Sequence, residues 1–114
     1  MLSYQFCDRT VTVYRLENGA VQRQVMEGCY YGWQTKWVRD AMGTRQDTKF
    51  LLVIPGSEQT IFPGDRVFDG VGPYITEEDW HRFVPALVPG LGQVAYVRPA
   101  FWDGSVTHIE AGSS

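Results

Sequence analysis

The residues best suited to chemistry are two histidines, His81 and His108, two cysteines, Cys7 and Cys29, and the carboxylate run Glu77-Glu78-Asp79. A thiol nucleophile needs a base beside it. Such a pair could be built from Cys7 or Cys29 with His108, but any two such residues could be named and no spacing favours it. His108 alternates with Val106 and Glu110, as an ordinary strand residue does. His81 stands beside Asp79 and Arg82 in a helical stretch. A G-x-S-x-G elbow and an H-E-x-x-H pair are both absent from the sequence. The cysteines lie 22 positions apart, outside any C-x-x-C and without flanking histidine pairs, so no metal site is expected. They read as two free thiols in a reducing cytoplasm, with a disulfide from the N-terminus to the second strand as the unsupported alternative. Three carboxylates in a row suit the first turn of a helix better than a cation site. Asp69-Gly70-Val71-Gly72-Pro73 lacks the alternate acids of a calcium loop and the third glycine of a dinucleotide fingerprint. No catalytic, cofactor-binding or metal-binding residue is assigned, and the chain is expected to be neither an enzyme nor a cofactor carrier.

Trp33 and Trp37, four apart and preceded by Tyr30-Tyr31, share one face of an extended strand. A stripe of this kind is first expected in a core, and second as a platform that stacks on a ligand or partner.

The elements that must position these residues are mostly strands. The chain has 114 residues, 44% hydrophobic and 20% charged, one globular domain's worth over 1–114. Aromatics reach 14%, and 12 Gly with 6 Pro supply many turns, which favours a small β-rich domain over a helical bundle. Residues 10–16 (TVTVYRL) alternate as a strand, and Asn18-Gly19 is a type I′ hairpin signal that starts a return strand over 20–31. Gly28 and Gly32 mark bulges or close approaches, and residues 33–38 form a third extended piece. Residues 39–49 (RDAMGTRQDTK) form the one long polar stretch without a trusted period, and read as a loop, which at this length is usually functional. The run 49–54 (KFLLVI) suits a central strand buried on both faces, with Leu52 and Val53 in the core. Pro63-Gly64 fits a type II turn. Thr76 caps a short helix whose stripe is Trp80, Phe83 and Val84, and Pro85 ends it. Asp103-Gly104 is a second hairpin signal, and residues 111–114 read as a flexible tail. The sum is a mainly β fold, an antiparallel barrel or sandwich with one short helix inserted in a connection.

The net charge is −3, and no cluster of basic residues offers a grip on nucleic acid. No apolar run approaches the ~18 residues of a membrane span. Met1-Leu2-Ser3-Tyr4 opens without a basic or apolar leader, so no signal peptide is expected. Eight of the ten cations are arginine, the cation favoured at interfaces.

From about Thr10 to Gly112 the chain resembles a family of short proteins from phages and prophages of Firmicutes and other gut bacteria. The resemblance rests on TVTVYR, GCYYGW, FLLVIPG, IFPGDRVFDGVGP and ITEEDW, and most of all on the closing GLGQVAYVRPAFWDGSVTHIEAG. These proteins are encoded among head-morphogenesis genes, near minor capsid and head–tail connector proteins. What the resemblance implies is a virion structural protein, foremost a head–tail connector (neck, head-closure) subunit. Such a subunit forms a homo-oligomeric ring below the portal and adaptor, touches portal, adaptor or tail proteins, and lets DNA pass without specific binding. The location implied is the phage neck, after synthesis in the bacterial host cytoplasm, with no membrane involved. A tail-terminator or minor capsid protein shares the same features, and a small ligand-binding β-barrel around Trp33 and Trp37 is the further alternative. In the connector reading the polar stretch makes the protein contacts, through Arg39, Asp40, Arg45, Asp47 and Lys49.

Overall fold

A computed structural model describes residues 7–113, with the side chains of residues 36, 38, 40 and 45–47 outside the description. The elements run β1 (Arg9–Glu17), β2 (Ala20–Asp40), β3 (Gly43–Pro55), β4 (Arg66–Asp69), α1 (Glu77–Trp80), β5 (Leu91–Gln93), β6 (Tyr96–Trp102) and β7 (Ser105–Gly112). All pairings are antiparallel, in one curled half-barrel sheet of order β5-β4-β1-β2-β3-β7-β6. The two end strands, β5 and β6, are joined directly through Val94-Ala95. Val94 N–H donates to Asp65 O and Ala95 N–H to Gly112 O, both at 2.8 Å, so this short link bridges the two ends of the sheet.

Both tight hairpins form as their sequences require. Asn18 and Gly19 (φ +53° and +77°) and Asp103 and Gly104 (φ +52° and +80°) take the paired left-handed conformation of a type I′ turn. At Pro63-Gly64, Asp65 N–H donates to Phe62 O at 3.1 Å and Gly64 has φ +94°, a type II turn. Asp65 is buried behind it. Its carboxylate accepts Arg15 Nε and Nη2 (2.9 and 2.8 Å) and Phe62 N–H (2.9 Å), tying β1 to the start of β4.

β2 changes partner midway. Ala20–Cys29 lie beside β1, and Tyr30–Asp40 lie beside β3. The change happens at Gly28 (φ +72°), where the register slips by one residue between Val11↔Met26 and Arg9↔Cys29. A bulge of this kind flips the phase of everything after it. Val25 therefore stays outside, while Cys29 and Tyr31 enter the core with Val11, Val13, Leu52, Ile54 and Ile109.

The strand covered on both faces is β1, not the 49–54 run. Phe50, Leu52 and Ile54 are buried, but Leu51 and Val53 are only half-buried on the outer face. Over β1 the connection after β4 folds down as a second layer, built by Tyr14, Phe83 and Leu91 with Trp80 and Val88. Polar groups on that face of β1 are satisfied by the covering loop. Thr12 Oγ1 donates to Gly70 O and accepts Gly72 N–H (both 2.8 Å), and Tyr14 Oη donates to Pro73 O at 2.6 Å. Leu52→Ala should cost about 2–4 kcal/mol in urea unfolding, and Val53→Ala clearly less.

The helix is shorter than its stripe implied, ending at Trp80 rather than Val84. Buried Arg66 takes Trp80 O, the carbonyl that Val84 N–H would need in a helix continued to Val84. Its guanidinium donates to Trp80 O and to Phe83 O (2.8 Å) and lies 3.7 Å from the Trp80 ring centroid. Val84, preceding Pro85, is also disfavoured in helical geometry. Thr76 occupies the cap position, but its hydroxyl donates to Asp79 Oδ2 at 3.1 Å instead of accepting a backbone N–H. Ala111 and Gly112 are not tail residues. They pair with Leu52 and Leu51 at the end of β7, and Phe50 N–H donates to Ser113 Oγ at 3.1 Å. Ser114 lies outside the described residues.

Candidate functional site

Among the described residues the sheet narrows to two strands past Leu51. β1 last pairs with β2 at Arg9↔Cys29, and β7 last pairs with β3 at Gly112↔Leu51. From Trp33↔Phe50 to Asp40↔Gly43, eight residue pairs join β2 and β3 to each other alone. At ~3.4 Å per residue this arm is about 27 Å long. Among the described residues neither of its outer edges has a strand partner. The radius of gyration, 15.3 Å, exceeds the ~13 Å of a compact chain this long, as a projecting element requires.

The segment read as a polar loop is thus the tip and return strand of a hairpin. Its turn, Asp40-Ala41-Met42-Gly43, has no Asn-Gly or Asp-Gly pair and so escaped the hairpin signal used elsewhere. Asp at the first position and Gly at the fourth, a common turn preference, was the available clue. All five proposed contact residues fall on this one element. Arg39, opposite Thr44, and Lys49, opposite Gln34, are exposed. Asp40 lies opposite Gly43, Arg45 opposite Val38 and Asp47 opposite Lys36 in backbone register, and the side chains of Asp40, Arg45 and Asp47 lie outside the described residues.

The tryptophan pair is not a core stripe. Trp33 holds the base of the arm, its ring 5.3 Å from Phe50 and 6.1 Å from Tyr31 between centroids. Trp37 is 72% exposed and Met42, at the tip, 95% exposed. Both stand beyond the last pairings of β1 and β7 with the sheet. Thr35 and Thr48 hydroxyls meet at 3.2 Å across the arm.

On the outer face at the arm's root lies an open groove of about 290 Å³, with Tyr30, Gln34, Lys49, Tyr96, Arg98 and Glu110 in its wall. Two glycines make room for its tyrosines. The Tyr30 phenol covers Gly32, and a Cβ at Gly112 would stand 2.6 Å from Tyr96 Oη. Neither Trp33 nor Trp37 lines this groove. Glu110 accepts Arg98 Nε at 2.8 Å and faces His108 Nε2 at 3.2 Å. Burial resists ionisation of Glu110, but the bonds from Arg98 and His108 outweigh it and hold the carboxyl below its usual value. A carboxyl lowered by folding stabilises the protein above its unfolded value and loses that contribution as pH falls through the folded one. Glu110→Gln should therefore flatten the acid limb of a Tm-versus-pH curve below about pH 4.5. An unchanged acid limb would mean that the three groups do not couple.

The cysteine–histidine pairing has the wrong electrostatics for a nucleophile. Both thiols are free. Cys29 is buried, its Sγ set against Glu27 O at 3.7 Å, and burial, with Cys7 nearby, pushes its pKa up to about 11. Burial and Asp8 also raise that of Cys7. A reactive thiol needs the opposite shift. Iodoacetamide at pH 8 should modify Cys7 before Cys29 in the native protein and both equally in guanidinium; equal native rates would place Cys29 outside the core. His81 is exposed just past α1. No cluster of three metal-ligating side chains occurs among the described residues.

Comparison of the chain with protein-family models, with curated proteins and with solved structures yields no match.

Proposed function

We propose that this chain is a structural subunit of a tailed-phage virion, foremost a head–tail connector that assembles as a ring around the DNA path. The observation that carries the reading is the two-stranded arm. An isolated two-stranded ribbon is marginal in water. Unpaired edges invite another chain, and natural folds normally blunt or cover them. An arm whose edges have no strand partner among the described residues, and which exposes Trp37 and Met42, is best explained by a surface in a larger assembly that covers it. The resemblance over residues 10–112 supports the virion as that assembly. A net charge of −3 also suits a channel through which DNA slides without being held.

The test is to interrupt this reading frame in the phage that encodes it and view the lysate by electron microscopy. A connector predicts filled or leaking heads separate from finished tails, rescued by the wild-type chain in trans. Tails of uncontrolled length would assign a tail terminator instead, and misshapen heads a minor capsid protein. Normal infectious particles would contradict the virion reading altogether.

A further inference from the structure

The charges of this chain are segregated. The arm, residues 33–50, carries four cations, Lys36, Arg39, Arg45 and Lys49, against two carboxylates, Asp40 and Asp47, a net +2. The rest of the chain carries six cations against eleven carboxylates, a net −5. The division coincides with the boundary at which the pairings of β1 and β7 end and, among the described residues, β2 and β3 continue with each other alone. It also runs along one strand. β2 begins at the Asn18-Gly19 turn, beside which Glu77 approaches Gly19, and ends 21 residues later at the arm tip.

From this arrangement we infer that the arm docks on the acidic body of a second copy of the same chain, head to tail. The inference rests on the reading of the arm as an assembly element, not on where in a particle the assembly sits. Two arms laid edge to edge would bring together two surfaces of like net charge, which opposes a symmetric arm–arm pair. Arm on body joins unlike surfaces, and it leaves each copy with its own arm and its own body surface still to be used. That is a heterologous contact, which generates a closed ring if the rotation closes. The arm also carries side chains of the kinds enriched in protein contacts, with Trp37, Arg39 and Met42 all exposed.

The sequence contains a built-in probe. Its only two lysines, Lys36 and Lys49, both lie on the arm. Carbodiimide joins a lysine amine directly to a carboxylate, so each intermolecular lysine cross-link reports an arm contact. A mixture of unlabelled and ¹⁵N-labelled full-length chain should give mixed-isotope peptides joining Lys36 or Lys49 to body carboxylates such as Glu17, Glu58, Glu77 or Glu78. In sedimentation the chain should self-associate at low salt. Association should weaken at least tenfold between 50 and 500 mM NaCl, and in the variant Arg39→Gln/Lys49→Gln, with an unchanged circular dichroism spectrum. Mixed cross-links confined to Asp40 and Asp47 would replace the inference with arm–arm pairing. A chain that stays monomeric at millimolar concentration and low salt would overturn it, and would leave the virion reading intact if the protein is still found in particles. Self-association by arm and body in a protein missing from particles would instead uphold the contact and remove the virion reading.

Discussion

Gly92→Val should be among the most destabilising single substitutions in this chain. Gly92 sits in β5, the three-residue strand that feeds the link between the two ends of the sheet. A Cβ built there would stand 2.5 and 2.6 Å from two ring carbons of Phe50 and 3.0 Å from Tyr31 Oη. Neither neighbour can give way easily. Both are buried, their rings lie 5.5 Å apart, and both pack on Trp33 at the root of the arm. Overpacking of this kind costs about 3 kcal/mol, a large share of the 5–15 kcal/mol by which domains are typically stable. The melting temperature should fall by roughly 10 °C or more. Gln93→Ala, one residue on and exposed, should change it by little. A Gly92→Val protein with wild-type stability would mean that β5 does not press on Phe50 as described.

Shortening the arm should do the reverse, sparing stability and abolishing assembly. Replacing residues 35–48 with Asn-Gly keeps the Trp33↔Phe50 and Gln34↔Lys49 pairs and closes them with a type I′ turn. Trp33 still seals Phe50 and Tyr31, and the removed side chains that are described are exposed. The melting temperature should stay within a few degrees, since exposed positions away from special contacts contribute within about 0.5 kcal/mol each. Self-association and, in the phage, particle formation should both be lost. A shortened chain that still assembles and complements would show that the arm is not the contact.

The contrast between these two variants follows what the sequence could and could not disclose. Local chemistry was legible wherever a single residue pair dictated the backbone. Asn18-Gly19, Asp103-Gly104 and Pro63-Gly64 allow few conformations, and each forms the turn it signals. The mainly β architecture followed from such turns and from alternating strands. What escaped was set by long-range partners. The alternation of 10–16 gives no sign that a loop 58 to 60 residues away covers the outer face of β1, with Thr12 bonded to Gly70 and Gly72. The apolar run 49–54 gives no sign that Leu51 and Val53 remain half-covered. The helix was overextended because nothing local reveals that Arg66 reaches its carbonyls.

The arm escaped for a related reason. Strand reading relies on one buried face, and the described side chains of residues 39–49 are all exposed, so this stretch carries no hydrophobic period to find. The same absence made Trp33 and Trp37 look like core. One of them packs on Phe50 and Tyr31 at the root of the arm, and the other stands exposed. The five residues proposed for protein contact were singled out because a long unexplained polar stretch is itself informative, although its conformation was not legible.

The most direct test of the central claim, that the arm builds an assembly of identical chains, is a cryo-electron microscopy structure of the intact particle at side-chain resolution. The account predicts a closed ring of this chain at the junction of head and tail, with each arm lying across the body of the next copy and Trp37 and Met42 covered. Particles that contain no such ring, or a ring whose arms reach into solvent and touch no neighbour, would contradict it.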